Sequence, residues 1–179
     1  MDLGSTRCVR EYKPLTPATE GCLMPPPAPG HPITVGVLLT NSWNNLLIVH
    51  PAKSGAPWQL PGGIVEQGES PLDAARREAR EELGLDLDVR EHDLFGVEWL
   101  QATRTGRRDR LAFLFAGPEL HPHDTVRITL QRDELDAWRW VARAEARELL
   151  HPAIAARVVS PLQTPSAAVY RETRHEGTL

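Results

Sequence analysis

The chain has few cysteines and no excess of positive charge, and each scarcity excludes a class of protein. Its 179 residues include two cysteines, Cys8 and Cys22, without a Cys-x-x-Cys spacing, so neither a disulfide framework nor a zinc site is indicated. The formal net charge is −4, which leaves no basic surplus for holding a nucleic-acid backbone. We therefore expect free thiols in a reducing cytoplasm and no nucleic-acid partner.

Long apolar runs are also absent. The longest, residues 33–39 and 46–49, are far too short to span a bilayer. The N-terminus lacks a basic start followed by an apolar stretch, so no signal peptide is predicted. Apolar and charged fractions of 41% and 25% are ordinary for a globular protein, and the length suits one domain. These features favour a cytoplasmic protein with no membrane association.

Proline is concentrated near the N-terminus and helps to divide the chain into three parts. Residues 1–30 combine several prolines with weak periodicity, which predicts an extended arm. Residues 31–160 mix β-branched apolar runs with a few helical segments, which predicts an α/β or α+β domain. Residues 161–179 form a tail in which residues 168–172 are a candidate last strand.

Local patterns within the domain predict several strands and one well-marked helix. Strands are predicted at residues 33–39, 46–49, 58–60, 94–102, 111–116 and 138–141, helices at 144–150 and 153–159, and a loop at 121–125. Ser70 is the expected N-cap of a further helix that begins at Pro71, with Asp73 closing a capping box. Gly84 stands where a left-handed residue would end that helix.

Three carboxylates, Glu78, Glu81 and Glu82, lie at i, i+3 and i+4 on this helix. The spacing places them in one arc of the helix surface, where like charges repel unless something offsets them. A divalent cation such as Mg²⁺ takes oxygen ligands, and a cation held in this way can bind phosphates and activate water. The simpler interpretation of an acidic triplet is a solvated helix face.

The segment formed by residues 63–85 resembles the Nudix box of the Nudix hydrolases. The fixed positions of that box are occupied by Gly63, Glu69, Arg77, Glu78, Glu81, Glu82, Gly84 and Leu85. Ala79 stands where a larger aliphatic residue is usual. The resemblance implies an α/β/α sandwich with a mixed central β-sheet. It also implies a pyrophosphohydrolase that uses Mg²⁺ or Mn²⁺ to cleave a nucleoside diphosphate linked to another moiety, as in a nucleoside triphosphate or a nucleotide sugar.

The resemblance further implies roles for individual residues of this chain. The implied metal ligands are the carbonyl of Gly63 and the carboxylates of Glu78, Glu81 and Glu82. Glu69 and Arg77 are implied supports that orient the loop and the glutamates. We expect Glu82 to be the catalytic base, with Glu134, from a later loop, as the alternative. The simpler interpretation of Glu134 is an exposed loop acid.

The substrate-binding residues are less constrained by the sequence. Trp58 and Trp99 are candidates for stacking on a nucleobase, and packing in the core is the alternative explanation for both. Arg104, in a polar hairpin loop, is either a phosphate contact or a solvated loop residue. We expect a small nucleotide derivative as the partner, and a homodimer clasped by the arm is compatible with the resemblance. The competing function is a non-catalytic nucleotide-sensing domain, which the complete set of glutamates argues against.

Overall fold

The apolar segments form a mixed β-sheet of six strands in the described part of the chain, in the order β5-β2-β1-β4-β3-β6. The strands are β1 (Ile33–Thr40), β2 (Leu46–Pro51), β3 (Leu94–Leu100), β4 (Arg110–Glu119), β5 (Leu135–Val141) and β6 (Val169–Thr173). β1 pairs with β4 and β3 with β6 in parallel, and the other pairs are antiparallel. The structure is a computed structural model that describes residues 30–53, 55–102, 106–158 and 169–173, the last range as main chain only.

Helices cover both faces of this sheet, which confirms the predicted α/β/α sandwich. α1 (Pro71–Leu83) packs on one face, and α3 (Arg143–Leu149) and α4 (Pro152–Val158) pack on the other. Side chains alternate along β1, so that Val37 and Leu39 join the core beneath α1 while Leu38 joins the core beneath α3 and α4. Because both faces are covered, the central strands are apolar on both sides.

α1 begins and ends where the sequence predicts. The Oγ of Ser70 accepts the N–H of Asp73 at 3.1 Å, and Gly84 adopts a left-handed φ of 70° while its N–H donates to the carbonyl of Arg80. The carboxylate of Asp73 accepts the Ser70 hydroxyl at 2.7 Å. The predicted capping box is therefore half formed, because Asp73 bonds the side chain of Ser70 and not its main-chain N–H.

The segment before α1 fills a gap between β1 and β2. These two strands pair only next to their turn, at Thr40 and Leu46. Farther along the gap, main-chain N–H groups of β1 donate to the segment, Val37 to the Pro61 carbonyl at 2.8 Å and Val35 to the Gly63 carbonyl at 2.9 Å. The prediction of a strand at residues 58–60 is wrong, because this stretch forms only an isolated bridge to β2. The arrangement fixes the turn that contains Gly62 and Gly63, called the glycine turn below, to the centre of the sheet.

Other segments differ from the prediction mainly at their ends. The loop predicted at residues 121–125 contains a short helix, α2 (Pro122–Thr125), because Pro122 favours the first helical position. A 3₁₀ turn (Glu91–Asp93) precedes β3, β4 continues to Glu119, and β5 begins at Leu135.

The main chain of β6 confirms a last strand where the sequence predicts one. Residues 1–29, 159–168 and 174–179, which include most of the predicted arm and tail, lie outside the described residues. The division of the chain into arm, domain and tail stays a prediction. Among the helices that the structure describes, none has the length and apolar character needed to cross a membrane.

Candidate active site

Two glycines bring the main chain against both β1 and α1. Gly62 has a φ of 142°, and a Cβ at this position would lie 2.2 Å from the carbonyl oxygen of Val35. A Cβ at Gly63 would lie 2.3 Å from Oε1 of Glu78. Neither position accepts a side chain without displacing a neighbour. Because Gly63 has no side chain, the carboxylate of Glu78 can lie directly against its main chain.

Glu82 is the most deeply buried acid on α1. It is 3% exposed, and its Oε2 accepts the N–H of Gly62 at 2.8 Å. Burial raises the pKa of Glu82 to about 8. The hydrogen bond from Gly62 acts to lower this pKa, whereas repulsion by Glu78, Glu134 and Glu81 acts to raise it. Burial also raises the pKa of Glu78, which is 8% exposed.

Arg77 holds the remaining acids of the cluster. Its Nε and Nη2 donate to Glu69 at 3.1 and 2.8 Å, and its Nη1 donates to Glu78 at 3.0 Å and to Glu81 at 2.9 Å. The hydrogen bonds to Glu69 and Glu81 raise the pKa of Arg77 above its usual value, and Arg77 holds the pKa of Glu69 below its usual range. Nη2 also donates to the carbonyl of Ile64 at 3.1 Å. One guanidinium therefore serves three carboxylates and ties α1 to the glycine turn.

The donor set of this cluster fits a hard divalent cation. Glu78 and Glu82 are buried acids whose mutual repulsion Arg77 offsets only in part, and carboxylate oxygens are the ligands that Mg²⁺ prefers. The Gly63 carbonyl accepts Val35 N–H but retains a second lone pair. Within the described residues, no three acidic, histidine or cysteine side chains converge on one point as they stand. Coordination by the predicted set would therefore require side chains of the cluster to move closer together.

The acid cluster opens into a cleft of about 740 Å³. Gly62, Gly63 and the cluster line one side. Apolar side chains of the sheet, of the turn between α3 and α4 and of α4 line most of the rest, among them Leu114, Leu150 and Ile154. This volume lies in the range of small-molecule sites, and an apolar wall with charged groups at one side is typical of them. Such a cleft can take a charged group at the acids and an apolar or aromatic group beyond them.

The structure brings some of the predicted substrate-binding residues to this cleft and leaves others out. Trp58 lines it, with the guanidinium of Arg139 4.6 Å from the centre of its ring and the ring of His50 5.0 Å away. Trp99 does not line the cleft, because Leu100 does so and successive side chains of β3 point to opposite faces. The Trp99 ring instead packs edge-on against His31. Arg104 lies outside the described residues.

Glu134 is brought to the site from a different part of the chain. It is exposed, lines the cleft, and lies close enough to raise the pKa of Glu78 and Glu82 by repulsion. Sequence analysis missed several other lining residues, among them Arg110 and His151. Local patterns contain no signal for either one, since their position depends on β4 lying beside β1 and on where α4 begins.

Comparison with known proteins gives one family for most of the chain. The family model of the NUDIX domain matches residues 30–163. A protein named RNA pyrophosphohydrolase from Rhodospirillum rubrum is 31% identical over 120 residues, which cover 60% of this chain and 70% of that protein. A protein of the same name from Novosphingobium aromaticivorans is 30% identical over 138 residues, which cover 66% of this chain and 81% of that protein. The region matched by the family model includes the glycine turn and α1.

Solved structures agree at the level of the fold. The MutT protein from Methanosarcina mazei Go1 superposes with a TM-score of 0.61 at 22% identity, covering 72% of this chain and 90% of that one. A Caenorhabditis elegans Ap4A hydrolase, solved as a binary complex, gives a TM-score of 0.58 at 20% identity, with coverages of 72% and 92%. At these identities the likeness shows a shared architecture.

Proposed function

The chain belongs to the NUDIX hydrolase family, and from that premise we propose that it uses Mg²⁺ or Mn²⁺ to cleave a nucleoside diphosphate linked to another moiety. One observation carries the proposal: the buried acids of α1, the Arg77 network and the glycine turn meet at one side of a cleft of about 740 Å³. A bound divalent cation would supply activated water and a clamp on the phosphate oxygens. The cleft leaves room for a nucleoside or a sugar beside the acids.

Each residue of the cluster has a part in this proposal. Glu78, Glu81, Glu82 and the Gly63 carbonyl bind the cation, and Arg77 with Glu69 holds the turn and the glutamates in place. Glu82 is the proposed base, because it is buried against the turn, and Glu134 is the alternative. Trp58 lines the wall where a nucleobase or a sugar would lie.

Two substrate classes follow from different observations. The cleft size and the net charge of −4 favour a small nucleotide derivative, such as a nucleoside triphosphate or a nucleotide sugar. The names of the two relatives favour a second candidate, the 5′-triphosphorylated end of an RNA. Both candidates present a diphosphate to the same acids, so they differ only in what occupies the rest of the cleft.

The test is a substrate screen with Mg²⁺ and Mn²⁺. Nucleoside triphosphates, nucleotide sugars, a dinucleoside polyphosphate and a 5′-triphosphorylated RNA oligonucleotide would be compared by the release of phosphate or pyrophosphate. We expect metal-dependent turnover of at least one class, with Glu81→Gln and Glu82→Gln each lowering kcat by about 100-fold or more. Glu91→Gln, a change at an exposed acid of the 3₁₀ turn, is the matched control and should keep wild-type activity.

The same screen separates the enzyme from a nucleotide sensor. A sensor would bind one of these compounds tightly without turnover, and Glu82→Gln would then leave the product yield unchanged at zero. Full metal-dependent activity in Glu82→Gln would remove Glu82 from the site, and wild-type kinetics in Glu134→Gln would remove the alternative base.

A further inference from the structure

The charged residues that line the cleft are mostly acidic, and its two arginines differ in their contacts. Arg77 is fully engaged by Glu69, Glu78, Glu81 and the Ile64 carbonyl. Arg110 also lines the cleft, and its side chain makes no ion pair or hydrogen bond with any residue that the structure describes. A cation that has no partner among the described residues of an acidic cleft is available to an anionic ligand.

The register of the sheet fixes where Arg110 stands relative to the acids. Arg110 begins β4, and the next residue, Leu111, pairs with Ile33 of β1. On the other side of β1, the Ile33 carbonyl accepts the N–H of Val65, two residues after Gly63. The glycines lie farther along the strands, because the Gly63 carbonyl accepts the N–H of Val35, which pairs with Phe113, three residues after Arg110. Neighbouring strands lie about 4.8 Å apart and residues rise about 3.3 Å each, so two spacings across and three residues along place the Arg110 main chain roughly 14 Å from Gly63. A long arginine side chain and a chain of phosphates can bridge that separation together.

The floor between these two places is uncharged. Ala112 and Leu114 follow Arg110 on the same face of β4, and Thr34 and Gly36 stand beside them on β1. A ligand whose diphosphate lies at the acids would therefore meet its next positive group at Arg110. The planar guanidinium matches a phosphate with two parallel hydrogen bonds.

We propose that Arg110 is a specificity-determining residue that binds the third phosphate of a triphosphate-bearing substrate and so favours such substrates over nucleotide sugars. The inference rests on the proposed function for the position of the first two phosphates. A nucleotide sugar offers an uncharged sugar where a triphosphate offers another anion. Arg110 therefore discriminates between triphosphate-bearing substrates and nucleotide sugars, which the acid cluster alone treats alike.

The kinetic test compares ATP with UDP-glucose in the presence of Mg²⁺. Arg110→Ala should lower kcat/KM for ATP by about 10- to 100-fold, the size expected for a lost charge-assisted hydrogen bond, and mostly by raising KM. The same change should alter kcat/KM for UDP-glucose by less than about twofold. Arg110→Lys should recover part of the loss because it keeps the charge. Arg127→Ala, at an exposed arginine outside the cleft lining, is the matched control and should leave both substrates within twofold of wild type.

A binding measurement separates this inference from the proposed function. Wild type, Arg110→Ala and Arg127→Ala would be titrated calorimetrically with inorganic tripolyphosphate and with pyrophosphate, both with Mg²⁺. We expect a preference for tripolyphosphate that only Arg110→Ala abolishes. If wild type hydrolyses nothing in the screen but shows this pattern, the proposed function fails and the Arg110 site stands. If Arg110→Ala lost equal affinity for tripolyphosphate and pyrophosphate, or lost affinity for neither, the assignment of Arg110 would be overturned.

Discussion

The buried carboxyl group of Glu82 makes a pH-dependent contribution to stability when no cation is bound. Burial raises its pKa to about 8, whereas an unfolded glutamate has a pKa of roughly 4.3. At a pH below the pKa of the unfolded state, Glu82 holds its proton in both the folded and the unfolded protein and does not lower the stability. As the pH rises toward 8, the unfolded state releases the proton first, so Glu82 increasingly disfavours folding.

Glu82→Gln should therefore stabilise the protein in EDTA, and increasingly so from about pH 4 to pH 8. The gain above pH 8 should be about 1–3 kcal/mol, the size of a buried polar group without full compensation. Urea denaturation of wild type and Glu82→Gln at pH 5, 7 and 9 measures the difference in their free energies of unfolding. The contributions of the other titrating groups largely cancel in this difference. Added Mg²⁺ should stabilise wild type more than the variant. A difference that stays constant across this pH range would contradict the burial of an ionisable Glu82.

At the scale of the element, the glycine turn depends on two residues that lack a side chain. Gly62→Ala places a Cβ 2.2 Å from the Val35 carbonyl oxygen at a φ of 142°. Gly68→Ala is a matched control in the same connection, since Gly68 has a φ of 91° and no atom within 4 Å of the point that an added Cβ would occupy. The control measures backbone strain alone, and Gly62→Ala adds a collision with β1.

We expect Gly68→Ala to lower the free energy of unfolding by about 1 kcal/mol and Gly62→Ala to lower it by a further 1–3 kcal/mol. Turnover should fall in Gly62→Ala, because the Gly62 N–H donates to Glu82, and should persist in Gly68→Ala. Urea denaturation and kcat measured on the same preparations give both quantities. Equal destabilisation by the two changes would show that the turn does not press against β1.

Elements with strong local signals were predictable from the sequence. α1 has a capping serine, a proline at its first position and a glycine after its last turn, and its ends agree with the prediction. The buried strands β1 and β2 follow from their continuous apolar runs. The stretch at residues 58–60 resembles a strand locally, but its neighbours in space decide that it forms only an isolated bridge.

At the scale of the whole molecule, the acids were predictable and the cleft was not. Glu78, Glu81 and Glu82 are close together on one helix, so spacing alone groups them. Arg110 and His151 reach the cleft through the pairing of β4 with β1 and the placement of α4, which no local pattern encodes. Trp99 lies away from the cleft lining because the register of β3 turns it to the other face.

The wall of the cleft depends on a buried ion pair between distant parts of the chain. Arg157 of α4 lies 2.6 Å from Oε2 of Glu98 on β3, and their side chains are 6% and 3% exposed. α4 also supplies Ile154 to the cleft lining. Removing one partner leaves the other charge buried, whereas removing both leaves only a packing defect. The pair therefore holds α4, and with it one wall of the cleft, on the sheet.

Arg157→Ala should lower the free energy of unfolding by about 3–5 kcal/mol, and the double change Glu98→Leu with Arg157→Leu should lower it by much less. Arg147→Ala, at an exposed arginine of the neighbouring helix α3, is the control and should stay within about 0.5 kcal/mol of wild type. Urea denaturation of the four proteins gives the comparison. Because α4 carries part of the cleft wall, KM should rise in Arg157→Ala and recover in the double variant. A double variant as unstable as Arg157→Ala would show that α4 is held by packing and that the ion pair is incidental.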